Sequence, residues 1–405
     1  MSELYELPRG WEWKRLGDAV QIGCTKGFKV KPINGKVPFI KMSNIDAKKG
    51  RDTQYALEEY AKVAHGKTKF EKNAVLVGKI TPCTQNNKTT IVPSVLDGGF
   101  ATTEVYALHA RSNSSPYYLN YFMRSERINT YLVSTMTGAT GRQRVPSSSL
   151  KQLKIPLPPL KEQKRIVAKL DKLFEKIDQA ITLLQQNIET VNAFMPSVLD
   201  DVFGELEKKY QSVQLEALAT FQNGFAFKST EFNTARQGLK VTRIGNVLNV
   251  NKNLIYIDER KEFRKYLLKK GDIIISMTGT RKKKDYLFAR MIDKEDSYLN
   301  QRVGRISNKD NSKYQYLYYF LQSNYFRNPI FDYETGTVNQ GNISGKDIMN
   351  SQIPYPPLPT QQKVVHYLDQ LTSKIEPIKQ AQQDKLASLK ALKASILDKA
   401  FRGEL

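Results

Sequence analysis

The sequence predicts an α+β protein made of two tandem copies of one unit, each a mixed domain closed by a long helix. Three observations predict it. A stretch reading IPLPPLKEQKRIVAKLDKLFEKI from Ile155 returns as IPYPPLPTQQKVVHYLDQLTSKI from Ile353, so that Gln163 recurs as Gln361, Leu170 as Leu368 and Asp171 as Asp369, always 198 residues on. A repeat at half the chain length fixes the architecture before any local pattern is weighed. Each copy opens on prolines that cannot be helical and continues with apolar residues every three or four positions. Ahead of each copy, runs of β-formers alternate with Gly- and Asn-containing turns. The expected segments are 1–157, 158–210, 211–355 and 356–405, and the two larger ones are long enough to bury a core of ordinary domain size.

The first helix has a seam of Ile166, Leu170, Leu173, Ile177, Ala180, Leu184, Ile188 and Val191. That succession of fours and threes is the seam of a coiled coil. The second runs Val364, Leu368, Leu371, Ile375 and Ile378, is interrupted by Gln382 and Lys385, and resumes with Leu389, Leu392 and Ile396. Charged residues such as Lys161, Glu162, Lys164, Lys172, Glu175 and Lys176 flank the stripe, and its narrowness suits a helical partner better than a sheet. From Leu160 to Leu206 the rod would be about 70 Å long, at roughly 1.5 Å per residue. Pro196 and Pro377 lie inside the pattern and are expected to kink or interrupt the helices.

Sixty-three Lys and Arg against 40 Asp and Glu leave a net charge of +23. Such a surface seeks a polyanion, with nucleic acid first and an anionic membrane surface as the alternative. No apolar run reaches the length of a membrane span and no cleavable signal precedes Trp11, so a soluble cytoplasmic protein is expected. Cys24 and Cys83, with His65, His109 and His366, have no metal-ligand spacing. Structural zinc and disulfide stapling are not expected, and a reducing compartment fits.

In order along the chain, Trp13, Leu16 and Val20 anchor the first core, and VQLEALATF from Val213 is the counterpart, with Leu215 matching Leu16 and Phe221 matching Ile22. The runs VPFIKMSNI and LKVTRIGNV are strand-like, and each sets a cation beside an Asn: Lys41 with Asn44, Arg243 with Asn246. The pairing suits a sheet edge facing phosphates and base edges, and a plain exposed strand explains it equally well. FEKNAVLVGKIT and LKKGDIIISMTG follow as buried strands that each deliver a polar loop. The first loop carries Thr81, Gln85, Asn86, Asn87 and Lys88; the second carries Thr278, Thr280, Arg281, Lys282, Lys283 and Lys284. Amide side chains read adenine edges, whereas Arg and Lys read guanine or hold phosphate. A charged loop can also be merely solvated.

TTEVYAL and NQRVGRI are a further matched strand. The helices from Pro116 and Tyr314 space their aromatics for core packing, leaving Arg124 and Arg127 on the polar side as candidate phosphate contacts. Each large segment closes in a Gly loop, TGATGRQRV from Thr137 and TGTVNQGNIS from Thr335. There Gly138 and Gly336 allow positive φ or close approach. Arg142, Gln143 and Arg144 in the first, and Asn339, Gln340 and Asn342 in the second, can hydrogen-bond bases.

These residues resemble the specificity subunit of Type I restriction-modification enzymes over essentially the whole chain. The resemblance rests on the LPRGWEWKRLGD opening, the ISMTGT strand and loop, the two TG loops, the recurring proline-helix stretch, and the helix tails SVLDDVFGEL and SILDKAFRGEL. The first copy departs in lacking the Asn-Ile-Ser of NISGKDI. The resemblance implies two target recognition domains separated by two long antiparallel helices forming a coiled coil, with pseudo-twofold symmetry. Each domain would read half of a bipartite double-stranded DNA site, the half-sites differing because the loops differ. The helices would dock two methyltransferase (modification) subunits, and a restriction/translocase subunit would join them.

No Gly-rich S-adenosylmethionine fingerprint, no Asn or Asp before Pro-Pro and an aromatic, and no GxxxxGK[ST] loop is present. The chain is therefore expected to be non-catalytic and to hold no cofactor, with S-adenosylmethionine, ATP and Mg²⁺ on the partner subunits that the resemblance implies. The competing readings are a tandem DNA-binding adaptor outside restriction-modification, an enzyme with an unfamiliar site, and a structural coiled-coil protein with basic domains.

Overall fold

The computed structural model describes residues 5–405 except 52, 140, 295–296, 310–313 and 338. The chain divides into two compact units. One comprises the described residues up to Leu184 together with Asp384–Leu405, the other Gln185–Gln383. Compactness thus groups residues differently from the linear segments, because each long helix gives its two halves to different units.

In the first unit, an antiparallel sheet orders its strands Val20–Ile22, Val105–Ala110, Val75–Gly78 and Thr89–Ile91. Successive strand residues point to opposite faces. Val75, Val77 and Leu108 accordingly pack under the helices Pro116–Arg124 and Glu126–Ser134, while Leu76 and Ala107 face Ile40, Phe70 and Ala101 of a second sheet. Burial on both faces is why Val75–Gly78 is an unbroken apolar run. The second sheet orders Ala56–Glu59, Lys36–Ile40, Gly98–Ala101 and Thr68–Glu71, with one parallel pair that sets Phe39 against Phe100.

The second unit repeats this plan. Its main sheet orders Ala219–Asn223, Val303–Asn308, Ile273–Ser276 and Ala289–Met291, and Ile273 and Ile275 face the helices while Ile274 faces away. A smaller sheet pairs Leu239–Thr242 in parallel with Ser297–Leu299, the counterpart of the parallel pair in the first unit. In each unit the opening strand is zipped to the strand that precedes the long helix: Glu12 opposite Leu157, and Ser212 opposite Pro354.

The long helices are Leu160–Lys209 and Leu358–Arg402. Their repeated glutamine is a clamp. Gln163 and Gln361 are buried, and each amide donates back to the first residue of the Pro-Pro pair that precedes its helix, at 2.8 Å to the carbonyls of Pro158 and Pro356. Each helix is then tied to its own domain by a tyrosine 50 residues earlier in the chain: Tyr121 donates to Asp171 and Tyr319 to Asp369, both at 2.5 Å. In the first unit Ile166, Leu170 and Ile177 are buried with Leu397, Ala400 and Phe401, and Phe401 sits edge-on to Tyr118 and Phe122. The two helix segments run antiparallel there, since Arg165 meets the carbonyl of Leu405 and Asp178 meets Lys393 at 2.6 Å. In the second unit Leu199, Phe203 and Leu206 share a core with Leu368, and Phe203 packs on Tyr316 and Phe320.

Three expectations change. Neither Pro196 nor Pro377 interrupts its helix, because the loss of one backbone donor is absorbed within a long helix whose faces are held elsewhere. Leu392 is 47% exposed and lies off the seam. Ile378 is 50% exposed as well, so the inward face has begun to drift ahead of Gln382, as a 3.6-residue turn does against a 3.5-residue repeat. Lys393 takes the place facing the first helix, bridging Asp178 and lying 4.8 Å from the Phe174 ring centroid. Of the remaining seam, Leu184 is buried and Leu173, Ile188, Val364, Leu371, Ile375 and Leu389 are half-buried. Finally, the strand-like runs at 37–45 and 239–247 end in helical turns, Met42–Asn44 and Ile244–Leu248. Among the described residues no helix is long and apolar enough to cross a membrane.

Candidate nucleic-acid interface

In the first unit the strand Val75–Gly78 emerges into the turn 81–88, which closes on itself through the Thr84 hydroxyl and the Gly78 carbonyl at 3.0 Å. The Gly loop folds as a hairpin in which Thr137 and Arg144 exchange backbone bonds of 2.9 and 2.8 Å. It docks on the turn, since Thr81 N–H donates to the Gln143 carbonyl at 3.0 Å and Val145 N–H to that of Lys79 at 2.8 Å. Two stretches more than fifty residues apart thereby form one platform. Gln85, Asn86, Arg142 and Arg144 are exposed on it, Gln143 is half-buried, and none has a side-chain partner among the described residues. Asn87 and Lys88 serve the fold instead. Asn87 donates to the Arg124 carbonyl at 2.8 Å and Lys88 to that of Ile45 at 2.6 Å, which draws the Lys41–Asn44 turn alongside.

The second unit builds the same platform as a three-stranded sheet of Thr278–Gly279, Gln340–Asn342 and Thr335–Thr337. The Thr278 hydroxyl donates to Asn342 Oδ1 at 2.8 Å, and Gln340 Nε2 reaches the same oxygen at 3.4 Å. Gly336, at φ +124, needs its missing side chain: a Cβ would stand 2.1 Å from the Gln340 carbonyl oxygen. Arg281 spans loop and hairpin by donating to the Gly336 carbonyl at 2.8 Å, and Thr280 N–H caps onto Asp285 at 2.7 Å. Lys282 and Lys283 project exposed ammonium groups that make no side-chain hydrogen bond or ion pair among the described residues, although the charge of Lys283 is felt by Asp285, and Asn339 is exposed on the hairpin. Lys284 is more constrained, its ammonium 3.3 Å from Asn328 Oδ1 and 5.8 Å from the Phe331 ring centroid.

The Lys41–Asn44 and Arg243–Asn246 pairs have a local explanation. Asn44 Oδ1 accepts from Lys41 N–H at 3.1 Å, and Asn246 Oδ1 from Arg243 N–H at 3.0 Å, so both amides cap the turn that follows the strand. Asn246 is 1% exposed and also donates to the Lys252 carbonyl at 2.7 Å, which makes it a buried cap rather than a group offered to solvent. Lys41 pairs with Glu58 at 3.2 Å, and Arg243 donates to the Asn253 carbonyl at 2.5 Å. Arg124 is turned inward to the carbonyls of Ala47 and Lys48, and burial lowers its pKa from the usual guanidinium value. Arg127 lies over the Tyr5 ring at 5.4 Å.

Two features escape the sequence. Glu334 joins the basic loop to the hairpin: the Tyr286 hydroxyl donates to one of its oxygens at 2.9 Å and Lys282 N–H to the other at 3.0 Å. Its counterpart in the first unit is the buried Met136, so a lone acid just before the TG of a basic loop was the available signal. Cys24, Glu71 and His109 bring their ligand atoms within 4.8 Å of one another, although nothing in their spacing suggested it. Their donors are engaged within the chain. His109 Nδ1 lies 2.9 Å from the Gly23 carbonyl and Nε2 accepts from Glu71 N–H at 3.0 Å, which fixes a neutral tautomer. Burial and the neighbouring Glu71 push the Cys24 thiol up to about 11, away from the thiolate a metal would need.

A chain of this build is a duplicated recognition scaffold: one α+β unit used twice, with the framework kept and the presented side chains changed. It belongs to the family described as the Type I restriction modification DNA specificity domain, which matches residues 8–191 and 207–387. It is 26% identical over 93% of its length to the Type I restriction enzyme EcoAI specificity subunit of Escherichia coli, spanning 80% of that protein. With the putative type I restriction enzyme MjaX specificity subunit of Methanocaldococcus jannaschii it shares 24% identity over 96% of its length and 93% of the relative. The solved HsdS subunit from Thermoanaerobacter tengcongensis superposes with a TM-score of 0.53 at 25% identity over 99% of both chains. A chain from a study of complex assembly and conformational transition in a type I R-M system reaches 0.78 at 24% identity, covering 99% of this chain and 100% of its own, a likeness of fold.

Proposed function

We infer that this chain is the DNA specificity subunit of a Type I restriction-modification complex, each domain reading one half of a bipartite, asymmetric site. One observation carries the reading: the same loop-and-hairpin platform occurs in both units, with amides and arginines on the first and a lysine run with amides on the second. Identical frames with unlike contents are what two different half-sites require. On the first platform Gln85, Asn86, Arg142, Gln143 and Arg144 meet the DNA; on the second, Arg281, Lys282, Lys283, Asn339, Gln340 and Asn342 do. The recognition domains are residues 1–157 and 211–355, and the helical segments 158–210 and 356–405 dock two methyltransferase subunits. Methyl transfer from S-adenosylmethionine and ATP- and Mg²⁺-dependent translocation and cleavage belong to partner subunits, and the assembly works in the cytoplasm.

Methylation mapping tests this. DNA from cells expressing the chain with its methyltransferase partner should carry methyl groups at one bipartite motif, and Gln340→Ala should relax one half of that motif only. A stable chain that assembles with no methyltransferase and directs no methylation would favour the adaptor reading instead.

A further inference from the structure

The second unit carries an open groove of about 690 Å³ between its helix Asn324–Ile330 and the second half of the Leu160–Lys209 helix. In a chain with 63 Lys and Arg, its lining contains Asp200, Glu207 and Asp347 and no Lys or Arg at all. Asp200 accepts from Asn324 Nδ2 and Tyr325 N–H and Asp347 from Ser344, but these donors carry no net charge, so phosphate would still be repelled from the wall and a cation drawn to it. The internal repeat supplies the other half of the argument, because the first unit has the matching groove. There Phe122, Arg127, Ile128 and Asp398 stand where the second unit has Phe320, Tyr325, Phe326 and Asp200.

In the first unit this groove is partly filled by the chain's own opening segment. Tyr5 enters it, donates to the Phe401 carbonyl at 2.7 Å, stacks edge-on to Trp13 at 5.0 Å, and leaves a cavity of about 40 Å³. An open cleft of about 590 Å³ continues past it. Burial pushes the Tyr5 phenol up to about 12, and the guanidinium groups of Arg127 and Arg402 lie 5.4 and 5.0 Å from its ring. At the matched positions of the second unit the two cations are gone, replaced by Tyr325 and Gly204. No second opening segment exists to fill the space, since there the Leu160–Lys209 helix runs straight on into the strand Ser212–Gln214. The chemistry is inverted: the first groove supplies cations to a resident aromatic, and the second supplies aromatics and carboxylates to a visitor.

We propose that the groove lined by Asp200, Glu207, Tyr325 and Gln352 docks an extended segment of the methyltransferase partner bearing an aromatic residue beside a Lys or Arg. This rests on the Type I reading above. The aromatic side chain takes the place Tyr5 holds in the first unit, and the cation meets Glu207, which is exposed on the groove wall and keeps its charge while accepting from the Tyr325 hydroxyl.

A benzophenone photocrosslinker placed at the exposed Asn350 in the full chain, assembled with its methyltransferase subunit, tests the proposal. The expected product joins Asn350's position to one segment of that subunit containing an aromatic next to Lys or Arg. Glu207→Gln, which removes the charge and keeps an acceptor for the Tyr325 hydroxyl, should lower its yield about tenfold with the chain's melting unchanged. Crosslinks to DNA, to a second copy of this chain, or to nothing in an assembled complex would overturn the proposal and leave the Type I reading standing. Failure of any methyltransferase complex to form, with no site-specific methylation, would overturn both.

Discussion

Lys282 and Lys283 offer the sharpest test of the second platform. Both ammonium groups are exposed and make no hydrogen bond or ion pair among the described residues, with Asp285 near enough to feel the charge of Lys283, whereas Lys284 is held by Asn328 and lies over Phe331. The loop backbone is fixed independently of these side chains, because Lys282 N–H is bonded to Glu334 and Thr280 N–H to Asp285. Lysine-to-glutamine changes should therefore remove charge without moving the loop. Each phosphate contact contributes about 0.9 to the slope of log affinity against log salt. A fourfold rise in salt should then weaken wild-type binding about 3.5-fold more than it weakens either single variant, and about 12-fold more than it weakens Lys282→Gln/Lys283→Gln. Lys284→Gln should shift the slope least of the three. Fluorescence anisotropy of the assembled complex on a specific and a scrambled duplex measures all of this. An unchanged slope in the double variant, or a loss confined to the specific duplex, would refute the assignment of these lysines to phosphate.

Two further outcomes are expected. Asn246→Ala should destabilise the second recognition domain by roughly 1–2 kcal/mol, by leaving the Arg243 N–H and Lys252 carbonyl without their partner, and thermal melting should show the loss even without DNA. The first unit should lose stability on acidification through His109, whose folded pKa is lowered chiefly by burial, with Glu71 and backbone bonds opposing. A lowered value means that the unfolded chain takes up the proton first. The neutral ring's contribution is full above about pH 6.5 and is lost as pH falls from there towards the depressed folded value. Melting curves of wild type and His109→Gln between pH 7.5 and roughly 5 should converge at the acidic end, and curves that stay parallel would contradict it.

What the sequence revealed and what it hid divide along physical lines. The repeat, the long helices and the buried strands at Val75–Gly78 and Ile273–Ser276 were legible because burial writes periodicity into consecutive residues. Ile378 and Leu392 were misplaced because a heptad count assumes a fixed phase, and the phase of a straight helix drifts along its length. Asn44 and Asn246 looked like groups for reading bases because composition names a side chain and not its partner. A backbone N–H three residues earlier takes each of them. Glu334 stayed hidden because its partners, Tyr286 and Lys282, lie some fifty residues back along the chain, and Cys24, Glu71 and His109 meet only when three separate strands and turns are in place.

The sharing of each long helix has a consequence for synthesis. The second unit is a continuous stretch, complete once Gln383 has left the ribosome, whereas the first cannot seal over Tyr118 and Phe122 until Leu397, Ala400 and Phe401 arrive. The part of the gene translated first is thus the last to finish folding. A stop codon at 384 would wound the unit that holds Tyr118 and Phe122 and spare the other.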